Sequence, residues 1–192
     1  SEPYLWNTGW HYGDWLFYSV DNDTSGVSAV TYKPLIQQCF FANSADVTAK
    51  AAAVLGLEKE AAYYADVAAK AREAFCNAYL TPAGYLVSAT QTAYVLALNF
   101  DMLPEPMRPV VAARLADKVR EYGHITTGFL GTPYICHVLS EWGYTDLAYM
   151  LLLRQQYPGW LYPVTMGATT IWERWNSMMP DRTIPNNGMN SF

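Results

Sequence analysis

A chain of 192 residues holds one ordinary domain with a sizeable core. Its net charge of −5, with twelve basic residues scattered along the sequence, excludes the concentrated basic footprint of a nucleic-acid binder. Only 15% of residues are charged, whereas 52% are hydrophobic and 15% aromatic, a balance that suits a carbohydrate cleft or a surface that meets another part of a larger protein.

Residues 1–31 read as an aromatic loop with a turn cluster from Asp21 to Gly26. A first helix is expected from about Val30 to Leu55, kinked near Pro34 and stopped by Gly56. A second spans Glu58 to Tyr79, with Tyr64, Val67, Ala68, Ala71, Phe75, Ala78 and Tyr79 on one face, and breaks at Thr81-Pro82-Ala83-Gly84. Further helices follow over Ser88–Phe100, over Glu105–Tyr122 (with Val111, Leu115, Lys118, Val119 and Tyr122 in one stripe), over Thr132–Trp142 before Gly143, and over Thr145–Gln156 before Pro158-Gly159. Short extended pieces are expected at Tyr85–Val87 and Trp160–Thr165. The longest apolar run, Ala148 to Leu153, is too short to span a bilayer, so no membrane partner is implied.

Six helices joined by short loops imply antiparallel helical hairpins, arranged as an α/α toroid or an α-solenoid. No motif recurs at a fixed period, which disfavours the solenoid as a binding scaffold. The unusual residues fall in loops and at helix starts: Gly13-Asp14-Trp15, Thr126 to Thr132, and Gly167 to Asn176. Function gathered at one end favours the toroid.

Cys39, Cys76 and Cys136 form no metal-binding spacing, and their odd number argues against a disulfide framework. Cys39 and Cys136 sit in apolar helical runs, where buried thiols are common. His11, His124 and His137 are widely separated, so neither a metal site nor a cofactor is expected. The sequon Asn22-Asp23-Thr24 carries no weight. No signal peptide opens the chain, which reads as a piece of something longer, and its compartment stays open.

The segment from Gly167 to Asn176 carries the chemistry. Glu173 stands between Trp172 and Trp175, and a carboxylate framed by indoles is what a sugar site needs: flat rings cover the apolar faces, and the acid handles a hydroxyl, a water or a proton. The competing reading is a Glu173–Arg174 pair at a helix start capped by Thr169 or Thr170.

Several segments, in order, resemble the catalytic domain of the bacterial α-L-rhamnosidases, an inverting glycoside hydrolase family with an (α/α)6 barrel. They are His11-Tyr12-Gly13-Asp14-Trp15-Leu16, Ser88-Ala89-Thr90-Gln91-Thr92-Ala93-Tyr94, Thr127 to Thr132, Tyr157-Pro158-Gly159-Trp160, and Gly167 to Trp175. The resemblance implies an all-α fold in which residues 1–192 are about the second half of the barrel.

It also implies a rhamnose-containing glycan or glycoside as substrate, with Glu173 as the general base that activates water. Trp15 would line the sugar pocket against the C6 methyl group. Asp14 would bond sugar hydroxyls or cap the next helix. Trp172 and Trp175 would wall the site, one of them belonging to the core. The family's general acid lies in a segment before the first of these motifs, and its sugar-contacting His follows a segment like Asn186 to Phe192. The isolated chain is therefore expected to be inactive, and to form a homodimer or larger species through exposed half-barrel faces. Another α/α-toroid glycosidase is the alternative activity.

Overall fold

The computed structural model describes residues 3–18 and 29–184. The turn cluster Asp21–Gly26, the sequon Asn22-Asp23-Thr24 and the segment from Asn186 to Phe192 lie outside the described residues. Helices α1 (Lys33–Val54), α2 (Glu58–Tyr79), α3 (Gln91–Asn99), α4 (Arg108–Tyr122), α5 (Ile135–Glu141), α6 (Thr145–Leu152) and α7 (Leu161–Thr165) follow in order, with one 3-10 turn at Glu105–Met107 leading into α4. No described helix is long and apolar enough to cross a membrane.

The long helices pair with their chain neighbours, α1 with α2, α3 with α4 and α5 with α6, giving three helical hairpins. Connections this short force antiparallel neighbours. The turn between α1 and α2 closes on Gly56, whose φ of +73° lets the Leu57 N–H reach back to the Ala52 carbonyl at 2.9 Å. Gly123 ends α4 in the same left-handed conformation.

Helix α3 is the centre of the molecule, with every residue from Gln91 to Leu98 buried. Leu35, Ile36 and Phe75 from the first hairpin join one continuous core with Tyr94 and Leu96 of α3, and with Leu115, Ile135 and Leu151 beyond it. Cys39 is fully buried in this core, and burial pushes its thiol pKa up. In α2 the apolar face turns slightly from the expected one: Ala74 is buried and Ala78 exposed.

Several expectations need correction. Helix α1 starts at Lys33 rather than Val30, and Pro34 sits in the first turn without a kink, because no intrahelical N–H is required there. Residues 161–165 are helical rather than extended, since Pro163 again falls in a first turn whose N–H groups need no helical partner. The piece at Tyr85–Val87 reduces to one antiparallel bridge, Leu80 with Leu86. Helix α6 stops at Leu152, and α5 starts at Ile135 because residues 128–134 form successive turns.

The polar N-terminus of α3 ties loops to the core. Thr90 caps the helix by accepting from the Ala93 N–H at 3.2 Å, and its hydroxyl meets that of Thr31 at 2.7 Å. Ser88 accepts from the Tyr32 N–H at 2.8 Å. The buried Gln91 amide donates to the His124 carbonyl and accepts from the Thr126 N–H, both at 2.9 Å. Replacing Gln91 with Ala orphans both partners, and each buried polar group left unpaired costs about 1–3 kcal/mol. Urea unfolding should show Gln91→Ala losing at least that much stability, whereas Gln155→Ala on the exposed surface should lose almost none.

Candidate functional site

Three loops far apart in sequence meet over the start of α3: residues 12–18, residues 126–132, and residues 167–177. The first two form a short ladder, with the Tyr18 N–H donating to the Thr126 carbonyl and the Phe129 N–H to the Trp15 carbonyl, both at 2.9 Å. Gly128 is pressed against the first loop. A Cβ there would lie 2.3 Å from the Trp15 carbonyl oxygen and 2.7 Å from the Phe17 nitrogen. A side chain would push the loops apart.

Asp14 locks this arrangement. It is 4% exposed, and its carboxylate accepts four hydrogen bonds. Thr92 Oγ1 donates to Oδ2 at 2.5 Å, and the Gly128 N–H to the same oxygen at 2.8 Å. The Leu130 and Gly131 N–H groups donate to Oδ1 at 2.9 and 3.3 Å. Both oxygens are thus spent inside the protein. The expectation that Asp14 bonds sugar hydroxyls or caps the next helix is replaced by a third role: it moulds the 128–131 turn onto α3. Burial pushes its carboxyl above the usual range, and the Thr92 hydroxyl with the three N–H groups pulls it back.

The third loop is pinned by Trp175, whose indole N–H donates to the Thr127 carbonyl at 2.9 Å. Its ring meets Trp160 edge-on at 5.6 Å and packs on the core, so Trp175 is half anchor and half wall. Trp172 packs edge-on against Tyr162, and the Tyr162 hydroxyl donates to the Met178 carbonyl at 2.8 Å. No helix starts after Thr169 or Thr170. Residues 168–177 contain no helix and are held by reciprocal bonds between Ser177 and the Arg174 backbone.

Glu173, Trp172 and Trp175 open together onto a groove of about 200 Å³, closed by Trp160, Phe129 and Leu16. Glu173 is the one carboxylate among its described lining residues. Leu16 holds a positive φ of +62°, a strained conformation for leucine that the flanking loop ladder maintains. Trp15 is 44% exposed and lies outside this groove, in an adjacent one with Tyr12, Gly13, Phe129 and Leu130. Phe129 lines both grooves, so the groove of Trp15 adjoins that of Glu173. No group of three described His, Cys, Asp or Glu side chains gathers in a way that would hold a metal ion.

The roles of Gln91, Thr92 and Gly128 were missed from sequence. Only the Thr-Gln-Thr run before an apolar helix hinted that buried polar groups would be needed there.

The whole chain, residues 1–192, matches the family described as the bacterial alpha-L-rhamnosidase six-hairpin glycosidase domain. It is similar to the alpha-L-rhamnosidase of Streptomyces avermitilis, at 42% identity over 94% of this chain and 17% of that protein. It is also similar to one from Formosa agariphila, at 44% identity over 86% of this chain and 18% of that protein. Among solved structures, the Streptomyces avermitilis enzyme complexed with L-rhamnose superposes with a TM-score of 0.88 at 41% identity, covering 98% of this chain and 17% of that one. The Aspergillus terreus enzyme also gives 0.88, at 34% identity, covering 96% of this chain and 21% of that one. The chain therefore belongs to this family of six-hairpin toroids, which decides against the solenoid, and it spans about a fifth or less of the length of the relatives it matches.

Two consequences of the Asp14 lock are measurable. Gly128→Ala should cost about 3 kcal/mol in urea unfolding, at the upper end for overpacking, because backbone atoms oppose the new methyl. Thr92→Val removes the hydroxyl that holds down the Asp14 pKa, so the folded-state value rises further. A carboxyl with a raised folded pKa stabilises most below its unfolded value of about 4 and loses that contribution as pH rises through the folded value. The cost of Thr92→Val should therefore be larger at pH 7 than at pH 4, and an equal cost at both would contradict the assignment.

Proposed function

We propose that this chain is the part of an α-L-rhamnosidase that supplies the general base, Glu173, and one wall of the pocket for a terminal α-L-rhamnose. The observation that carries this reading is the groove itself. A single carboxylate stands among indole and phenyl rings, on loops fixed by buried hydrogen bonds rather than left to move. Rings of this kind cover the apolar face and the methyl group of a 6-deoxy sugar, and a fixed carboxylate can take a proton from a water attacking the anomeric carbon.

Inversion requires a second carboxyl about 6.5–9.5 Å away to protonate the leaving oxygen. The chain spans about a fifth or less of the length of these relatives, and the general acid is proposed to come from a segment outside these 192 residues. Residues 1–192 act on this reading as one partial (α/α)6-barrel domain. Trp15 lines the sugar pocket from the groove that adjoins that of Glu173, Trp172 walls it, Trp175 both walls it and anchors its loop, and Asp14 positions the loops without touching sugar.

A homodimer or larger assembly of the isolated chain is also proposed. Exposed apolar residues such as Val54, Leu55 and Tyr149 support it, since exposed apolar surface drives association. Light scattering of the 192-residue chain should show a species larger than a monomer, and a stable monomer at micromolar concentration would overturn this.

Hydrolysis of a chromogenic α-L-rhamnoside tests the main reading. In an active enzyme that carries this chain, Glu173→Gln should lower kcat at least about 100-fold with unfolding unchanged, the usual size of an acid–base contribution. Retained activity would make Trp172-Glu173-Arg174-Trp175 a structural element. The 192-residue chain alone should show no turnover.

A further inference from the structure

The first loop makes a turn in which the Phe17 N–H reaches back to the Asp14 carbonyl at 3.3 Å, and Leu16 is its third residue. Glycine or asparagine ordinarily takes that place when φ is positive, because a Cβ crowds the backbone in the left-handed region, yet here a leucine holds a φ of +62°. The same loop does use glycine where the backbone turns this way, at Gly13 with a φ of +74°. Glycine at position 16 would keep the bonds of the turn, which engage the Phe17 and Tyr18 N–H groups and the Trp15 carbonyl. Leucine therefore strains a backbone that glycine would not, and it is the side chain that needs an account.

Core packing does not supply that account. Leu16 is half-buried, and it belongs neither to the clusters of buried core residues nor to the partly buried side chains packed on them. Its place is at the site. Leu16 lines the Glu173 groove with Phe129, Trp160 and Trp172, and it also lines a small cavity of about 20 Å³ with Tyr18, Tyr157 and Asn176. Arg174 and Trp175 are the other described residues common to both, so these three stand between the two spaces. Of the described non-glycine residues with positive φ, namely Tyr4, Leu16, Asp101 and Arg182, Leu16 alone lines the Glu173 groove. Strain kept at a site rather than in the core points to a use for the side chain that causes it.

We propose that Leu16 is a binding residue of the reaction: its isobutyl group is an apolar wall against the terminal sugar in the Glu173 groove, and it closes that groove against the small cavity beside Tyr157. The surrounding bonds hold the strained turn without help from this side chain. Asp14 fixes one end through the Gly128, Leu130 and Gly131 N–H groups, and the Thr126 carbonyl fixes the other through the Tyr18 N–H. The left-handed conformation aims the leucine, and the groove is where it is used. This inference rests on the rhamnosidase reading above.

The test uses an active enzyme that carries this chain, a chromogenic α-L-rhamnoside, and the variants Leu16→Gly, Leu16→Asn and Leu16→Met. Glycine and asparagine accept the left-handed region but remove the apolar wall, whereas methionine keeps the apolar bulk. Leu16→Gly and Leu16→Asn should raise KM about tenfold, the size of a lost, partly buried leucine contact, with kcat within about twofold and an unfolding midpoint no lower than that of the unchanged enzyme. Leu16→Met should keep KM within about threefold, since volume-conserving apolar exchanges are tolerated best. A midpoint lowered in both Leu16→Gly and Leu16→Asn would make Leu16 a packing residue and overturn the inference. An unchanged KM in those two variants would overturn it as well, and so would a rise in Leu16→Met equal to theirs; each of these leaves the rhamnosidase reading standing. Full activity in Glu173→Gln, measured alongside, would overturn both.

Discussion

A buried carboxylate sets the shape of the site. Asp14 gathers a threonine hydroxyl and three backbone N–H groups from a turn more than a hundred residues away in sequence. Placing a charge where only 4% of the residue meets water is unfavourable, and only a full set of donors offsets it. The consequence is directional. Each N–H of the 128–131 turn has one acceptor position to aim at, so the turn has one conformation, and Gly128 must be glycine for the first loop to approach it. Thr127, at the edge of this turn, then offers its carbonyl to Trp175. A polar contact at one end of the chain thereby fixes the loop that carries Glu173 at the other.

The same logic extends through the start of α3. Ser88 and Thr90 bond to Tyr32 and Thr31, Gln91 to His124 and Thr126, and Thr92 to Asp14, so one helix N-terminus organises the residues before α1, the 124–126 stretch and the Asp14 turn together. Buried polar groups of this kind are strong only when every member is satisfied. Here they occupy the one end of α3 that faces the loops, while the rest of the helix is apolar core. Rigidity is thus concentrated where loops must be held, and under the proposed function a general base on such a loop need not be reordered when substrate arrives.

The helices were legible because their signals are local. Gly56, Gly123 and Gly143 end helices where the chain must turn left-handed, and the Val67–Ala68–Ala71–Phe75–Tyr79 face repeats at helical spacing. The groove around Glu173 was legible from four consecutive residues, for the same reason. Asp14 was not, because its partners stand 78 to 117 residues away, and nothing next to Asp14 marks a carboxylate destined for burial. Helix α7 was misread because Trp160 to Thr165 is rich in aromatic and β-branched residues with a proline inside, a composition that favours strands until the proline is seen to fall in a first turn. Thr92 and Gln91 were visible only as part of a motif, and their roles needed the fold that brings them to Asp14 and Thr126.

The aromatic surplus of the sequence divides into two populations, and the division is itself informative. Trp175 and Tyr162 use their polar atoms on backbone carbonyls and pack on other rings, as large side chains do when they hold a structure together. Trp10 and Trp15 stay substantially in water on a loop that three side-chain hydrogen bonds to Gln37 and Gln38 help to fix. Leaving an indole exposed forgoes the favourable burial of its area, on the order of 1.5–3 kcal/mol for a large apolar side chain. A loop free to collapse would bury such rings against α1. This one is held so that it does not.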